Sequence, residues 1–206
     1  MPLLQDPSGF TIDANHPLAG AEMKYTIEVI QNVPSEQVKQ VYFGAGCFWG
    51  PALRFKRIPG VIDTEVGYSN GQVEKVTYED VCSGRTGHNE VVRVMYDASA
   101  VSLRELLDEF FLNAHDPTAL NRQGNDSGTQ YRSGCYVDSQ EELEFVRSVV
   151  EELQPKFNGN IVTEVDLVKL YNVAEDYHQG YLEKGGRNGR AQSAAKGCND
   201  PIRCYG

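Results

Sequence analysis

The feature that most constrains this chain is an abrupt junction around residue 47. Val38 to Phe43 reads as a strand, Gly44-Ala45-Gly46 breaks it, and Pro51 suits the first turn of a helix running to about Arg57. Proline lacks the N–H that would be unpaired in a first helical turn anyway. Cys47 therefore falls between a strand end and a helix start. A thiol placed there meets unpaired backbone N–H groups and the positive end of the helix dipole, so a lowered pKa and a reactive thiolate are expected. Phe48 and Trp49 read either as core or as walls of an apolar pocket beside the sulfur.

The elements around this junction alternate. Val61–Tyr68 and Glu90–Tyr96 read as strands. Ser102–Asn113 carries Leu103, Leu106, Leu107, Phe110 and Phe111 on one helical face, with a Ser102/Glu105 capping box at its start. Tyr131–Val137 is a further strand, and Ser139 with Glu142 caps a helix whose stripe is Leu143, Val146, Val150 and Leu153. Ile161–Val168 reads as a strand and Ala174–Glu183 as a short helix. The first elements run β-α-β-β-α-β, so the expected class is α+β: a ferredoxin-like split β-α-β core, a mixed sheet flanked by helices, with long coiled terminal segments. Residues 1–36, with four prolines and no sustained period, are expected to be an irregular N-terminal arm. Residues 37–183 form the α+β domain. Residues 184–206 are expected to be a flexible glycine-rich tail, locally basic through Lys184, Arg187, Arg190, Lys196 and Arg203.

Composition narrows the function. At 206 residues and 40% apolar content the chain is long and apolar enough to bury a core as one domain. Its net charge of −10 repels phosphate backbones and anionic lipids, so neither a nucleic-acid nor a membrane partner is expected. A monomer is the default expectation. No apolar run approaches the ~18 residues that span a bilayer. The first thirty residues hold one Lys against Asp6, Asp13, Glu22 and Glu28, which does not read as a signal or transit peptide. The expected location is cytoplasmic, with a plastid as the alternative if a leader has been removed. Five cysteines, Cys47, Cys82, Cys135, Cys198 and Cys204, are too dilute for a disulfide scaffold. They point to thiol chemistry or metal binding in a reducing compartment.

Rival readings of the motifs are weaker. Gly44, Gly46 and Gly50 miss the G-x-G-x-x-G dinucleotide spacing by one residue, and Phe48-Trp49 would obstruct a pyrophosphate. Cys198 and Cys204 can be a zinc half-site, a disulfide or idle thiols; no adjacent C-x-x-C or clustered His supplies the remaining zinc ligands, so no metal is expected. Cys82 and Cys135 lie in or beside apolar segments and read as structural. Taken singly, Glu90 reads as a charge at a strand end, Tyr78 and Tyr131 as amphipathic packing, and Asp126 as part of an Asn-Asp-Ser-Gly turn.

Together the motifs resemble the A-type peptide methionine sulfoxide reductases. They are GCFWG at Gly46–Gly50, Thr77-Tyr78-Glu79-Asp80-Val81-Cys82-Ser83-Gly84 leading to Gly87-His88-Asn89-Glu90, Asn113-Ala114-His115-Asp116-Pro117, the run Arg122 to Ser133, and Ala174-Glu175-Asp176-Tyr177-His178-Gln179. The tail from Lys196 to Gly206 is similar to plant-type and algal members. The resemblance implies reduction of the S epimer of methionine sulfoxide, free or in proteins. It implies Cys47 as nucleophile, Phe48 and Trp49 as receivers of the substrate methyl group, Glu90 as acid, Tyr78 and Tyr131 as donors to the sulfoxide oxygen, and Asp126 as support. It further implies a sulfenic acid on Cys47, resolved by Cys198 and passed to Cys204 or attacked by either tail cysteine directly, with thioredoxin as the external thiol reductant and no bound cofactor. A thiol peroxidase or general disulfide oxidoreductase is the alternative, and a zinc-binding module a distant third.

Overall fold

The computed structural model describes residues 33–204, together with the strands Leu4–Gln5 and Thr11–Ile12, which pair antiparallel. Most of the expected N-terminal arm lies outside the described residues. From Val38 the order is β1 (Val38–Ala45), α1 (Trp49–Lys56), β2 (Val61–Ser69), α2 (Tyr78–Cys82), β3 (Asn89–Asp97) and α3 (Leu103–Glu109). It continues with β4 (Ser133–Val137), α4 (Gln140–Leu153), β5 (Glu164–Leu167) and β6 (Asn172–Val173).

The sheet order is β6-β2-β3-β1-β4-β5. Its inner four strands, β2-β3-β1-β4, are antiparallel throughout, which is the expected split β-α-β arrangement. To this, β5 adds in parallel beside β4, and β6 adds antiparallel beside β2. Strand alternation divides the two faces: Val41, Phe43 and Ala45 of β1 enter the main core, while Tyr42 joins Val91 and Tyr136 on the other face. Phe43 is fully buried and stacks between Phe55 of α1 and Phe110, at centroid distances of 4.8 and 4.6 Å. That stack clamps the helix behind Cys47 to the sheet, each aromatic pair contributing ~1 kcal/mol beyond its buried area.

Local rules account for most boundaries. Ser102 and Glu105 form the capping box of α3, and the Ser139 hydroxyl accepts from the Glu142 N–H at the start of α4. Beyond Glu109 the expected helix changes to a π-turn, Phe110–Ala114, that ends at His115. His115 holds this turn in place. Its Nδ1–H donates to the Phe110 carbonyl at 2.9 Å, so Nε2 accepts from the Ser133 hydroxyl at 2.6 Å, and Ser133 lies 2.7 Å from the Thr163 hydroxyl.

Three segments depart from expectation. Ala174–Glu183 is a run of turns rather than a helix. The Gln179 side chain accepts from the Val66 N–H and donates to the Val66 and Ala174 carbonyls, so bonding to the sheet replaces helical bonding. Tyr131 ends a 3-10 turn, Thr129–Tyr131, and β4 begins only at Ser133. The tail is not loose along its whole length: residues 193–200 are tied to the end of α1, with Arg57 donating to the Ser193 and Asp200 carbonyls.

Burial pushes the His115 pKa down to about 4, against the opposing pull of the Phe110 carbonyl. An unfolded histidine binds its proton near pH 6.5, so this site's contribution is complete above that pH and is lost as pH falls toward 4, on the order of 3 kcal/mol in all. Urea unfolding at pH 7 and pH 5 should therefore show a larger loss of stability for the native chain than for His115→Gln; equal losses would contradict the assignment.

Candidate active site

Gly46 ends β1 with φ +81°, a left-handed conformation that favours glycine, and turns the chain so that Cys47 and Phe48 precede α1. Cys47 is half-buried, and the Trp49 N–H at the helix start bonds its sulfur. The expected lowered pKa is nevertheless overturned. Burial pushes the Cys47 thiol well above its ordinary value, and the neighbouring Glu90, Cys204 and Asp126 push it the same way, so one helix-end N–H is outweighed.

Glu90 is the second residue of β3, opposite Tyr68 of β2, and is 2% exposed. Its Oε2 accepts from the Phe48 N–H at 3.2 Å. Burial raises its pKa to about 8; the Phe48 bond opposes this and the nearby Asp126 charge adds to it. Near neutral pH both groups are therefore uncharged, an acid beside a thiol. Burial and Glu90 also raise the phenol pKa of Tyr131, and burial, a bond to Cys82 and Glu90 raise that of Tyr78. Both phenols are thus held as O–H donors. Tyr78 sits at the first position of α2, under the Thr77/Asp80 capping box. Cys82, read as structural, is instead exposed and bonded to Tyr78, whereas Cys135 is fully buried in β4.

A pocket of 230 Å³ opens at Cys47, and Asp126, Gly50, Arg54, Ala114 and Cys204 are among its walls. Asp126 reaches it from a short hairpin, Arg122–Gln123 against Asp126–Ser127. Phe48 and Trp49 do not line this pocket. Phe48 is 1% exposed, with Tyr68 and His178 at 5.9 and 5.2 Å, and Trp49 stacks on Tyr181 at 3.9 Å. Glu90, Tyr78 and Tyr131 are likewise not among that pocket's walls; what links the group is Glu90, whose charge acts on Cys47, Tyr78 and Tyr131 and which itself feels Asp126.

Of the two tail cysteines, Cys204 lies against the start of α1. The Cys204 sulfur accepts from the Gly50 N–H and packs where a side chain at residue 50 would begin; a Cβ there would lie 2.5 Å from Sγ. Cys198 lies at the far end of α1, beside Arg57 and Ile58. All five cysteines are free thiols. Among the described residues no group of three or more His, Cys, Asp or Glu could hold a metal ion, and no helix is long and apolar enough to cross a membrane.

Sequence reasoning missed the supports behind these groups. The Trp49 indole donates to His178 Nδ1 at 3.1 Å, across 129 residues. Glu175 accepts from the Tyr68 hydroxyl and from the Tyr78 N–H, both at 2.8 Å, anchoring the start of α2. Burial keeps His178 neutral by lowering its pKa, which leaves Nδ1 free to accept. Both residues lie in the Ala174–Gln179 motif, whose spacing in sequence gives no hint of these contacts.

Comparison with known proteins finds consistent similarities. A family model described as peptide methionine sulfoxide reductase matches residues 39–201. A peptide methionine sulfoxide reductase of Brassica napus is 57% identical over 175 residues, which is 85% of this chain and 68% of that protein. The chloroplastic peptide methionine sulfoxide reductase A4 of Arabidopsis thaliana is likewise 57% identical, over 85% of this chain and 67% of its own length. Among solved structures, Mxr1 of Saccharomyces cerevisiae in reduced form aligns with a TM-score of 0.71 at 39% identity, covering 75% of this chain and 89% of that one. Mxr1 in complex with Trx2 gives a TM-score of 0.52 at 28% identity, over 74% and 90% of the two chains.

The geometry at Gly50 makes a direct prediction. Gly50→Ala should push the Cys204 thiol out of its seat, so that iodoacetamide alkylates Cys204 at least several-fold faster than in the native chain. Unchanged alkylation would show that Cys204 does not rest on Gly50.

Proposed function

The chain belongs to the peptide methionine sulfoxide reductase family, and on that premise we propose how its residues divide the work. Cys47 is the nucleophile that attacks the sulfoxide sulfur, and Glu90 is the acid that protonates the sulfoxide oxygen. Tyr78 and Tyr131 donate hydrogen bonds to that oxygen as negative charge develops on it. The observation that carries this reading is the Glu90 carboxyl, 2% exposed, bonded at 3.2 Å by the Phe48 N–H and raised to about 8. An ordinary surface carboxylate would be ionised at neutral pH and have no proton to give.

The raised Cys47 pKa fits the same scheme. A buried thiol stays protonated until a partner compensates its negative charge, and the partly positive sulfur of a bound sulfoxide is such a partner. In the reaction the S–O bond of the substrate breaks and its sulfur is reduced by two electrons to methionine. Cys47 is oxidised by two electrons to the sulfenic acid, the reversible first step of thiol oxidation. Phe48 and Trp49 receive the methyl group when substrate enters, and Asp126 supports the site from the pocket wall. The S epimer is the expected substrate.

Cys204, rather than Cys198, attacks the sulfenic acid first. Support comes from its seat on Gly50 and its share in raising the Cys47 pKa. Cys198 then takes over Cys204, and thioredoxin reduces the resulting Cys198–Cys204 disulfide; the yeast complex with Trx2 supports that reductant. The relatives include a chloroplastic A4 and an A3 whose name gives no compartment, so the cytosol is kept as the proposed compartment with a plastid as the alternative.

Two experiments test the assignment. In single turnover with S-sulfoxide and no reductant, Cys204→Ser should release one equivalent of methionine and accumulate a dimedone-reactive Cys47, while Cys198→Ser should form a Cys47–Cys204 disulfide at the native rate. A native-rate Cys47–Cys198 bond in Cys204→Ser would contradict the order. The rate of methionine release should also fall as pH rises through about 8, where Glu90 loses its proton. Glu90→Gln should lower that rate at neutral pH by a factor on the order of 10² to 10⁴ and abolish this alkaline limb; a limb that survives would assign it to another group.

A further inference from the structure

Arg57 follows α1 directly and is 6% exposed, and both hydrogen-bond partners of its side chain belong to the tail. Its Nε donates to the Ser193 carbonyl at 2.8 Å and its Nη1 to the Asp200 carbonyl at 2.6 Å, while its own carbonyl accepts from the Gly197 N–H at 2.8 Å. Lys196 adds to the same end of the helix, its ammonium donating to the Lys56 and Val61 carbonyls. Unpaired carbonyls and the negative end of the helix dipole make this end a natural seat for cationic side chains. The two guanidinium bonds bracket Cys198 in sequence, one before it and one between it and Cys204.

We propose that Arg57 is a positioning residue for the redox relay: it pins the tail along α1 so that Cys204 is delivered to Cys47, and its bond to Asp200 opens when Cys198 takes over Cys204. The inference rests on the reading that Cys204 attacks first. Chain lengths give the reason. From Arg57 back to Gly50 the helix spans about 10 Å at ~1.5 Å per residue. Four residues from Asp200 to Cys204 reach at most about 14 Å, so an anchor at Asp200 leaves the thiol little choice of position. An anchor at Gly197 alone leaves seven residues and about 24 Å, enough for the thiol to wander. Confinement of this kind raises the effective concentration of one group at another without any new contact.

The sequence of bonds follows. The Cys204 thiol attacks the Cys47 sulfenic sulfur; the S–S bond forms, the S–O bond breaks, and the hydroxyl leaves as water with the thiol proton. Cys198, as thiolate, then attacks the Cys204 sulfur, forming Cys198–Cys204 and releasing Cys47 as a thiolate that recovers a proton. Of the three Arg57 bonds to the tail, only the one to Asp200 lies between the two tail thiols. The Ser193 and Gly197 bonds precede Cys198 and stay made, so the tail remains docked while its tip swings back.

Arg57→Met removes both guanidinium bonds and keeps the apolar stem; Arg57→Lys keeps one donor. Full-length variants react with S-sulfoxide in a single turnover without reductant. The expected result for Arg57→Met is one equivalent of methionine released at the native rate, which also certifies the fold. Dimedone-reactive Cys47 should then persist at least tenfold longer than in the native chain, and Cys47–Cys204 should form correspondingly slowly, with Arg57→Lys in between. Native-rate disulfide formation in Arg57→Met would overturn the proposal, as would a methionine burst slowed by the same factor as the disulfide. Failure of the underlying reading is visible without any Arg57 variant, as Cys47–Cys198 appearing first in the native chain, and that result too overturns the proposal.

Discussion

The site depends on one buried carboxyl. Glu90 lies in the sheet with a long bond from the Phe48 N–H, too little to hold a negative charge away from water. The protein resolves this by keeping the proton. An acid whose folded pKa is raised from 4.5 to about 8 contributes stability that is present below the lower value and lost as pH rises through the higher one. Under the proposed mechanism the kept proton is what makes the group useful, because a donor is what a departing sulfoxide oxygen requires. The same burial raises the pKa values of Cys47, Tyr78 and Tyr131, so the centre rests as a set of neutral donors.

Helix α1 then works at both of its ends. Its start carries Cys47 and the bare Gly50 that seats Cys204, and its finish carries Arg57, which grips the tail. The Phe43 stack fixes the helix to the sheet that also holds Glu90. Cys47, Glu90 and the Cys204 thiol are therefore referred to one frame. Asn89, next to Glu90, reinforces it: its amide donates to the Arg132 carbonyl and the Tyr136 hydroxyl, tying β3 to the segment that follows Tyr131.

Much of this architecture was readable in the chain. The strand-like run from Val38 to Phe43, the Ser102/Glu105 and Ser139/Glu142 caps and the glycine break before Cys47 are local features, and the structure follows them. The Ala174–Glu183 segment was misread because its fate is decided by the backbone of β2, which Gln179 binds from 113 residues away. The Cys47 pKa was misread because helix-end chemistry is local whereas burial is not. The placement of the tail thiols was likewise out of reach, since it turns on which cysteine can approach a glycine surface on α1. The links from Trp49 to His178 and from Tyr78 to Glu175 join motifs that are adjacent only after folding.

Glu90 holds its proton at neutral pH because the fold denies it water. Infrared difference spectra of the native protein against Glu90→Gln, recorded across a pH titration, follow the protonated carboxyl of residue 90 directly. A carbonyl band should persist at pH 7 and disappear with a midpoint near 8. A band lost near pH 4.5, as for a carboxylate in water, would contradict a retained proton.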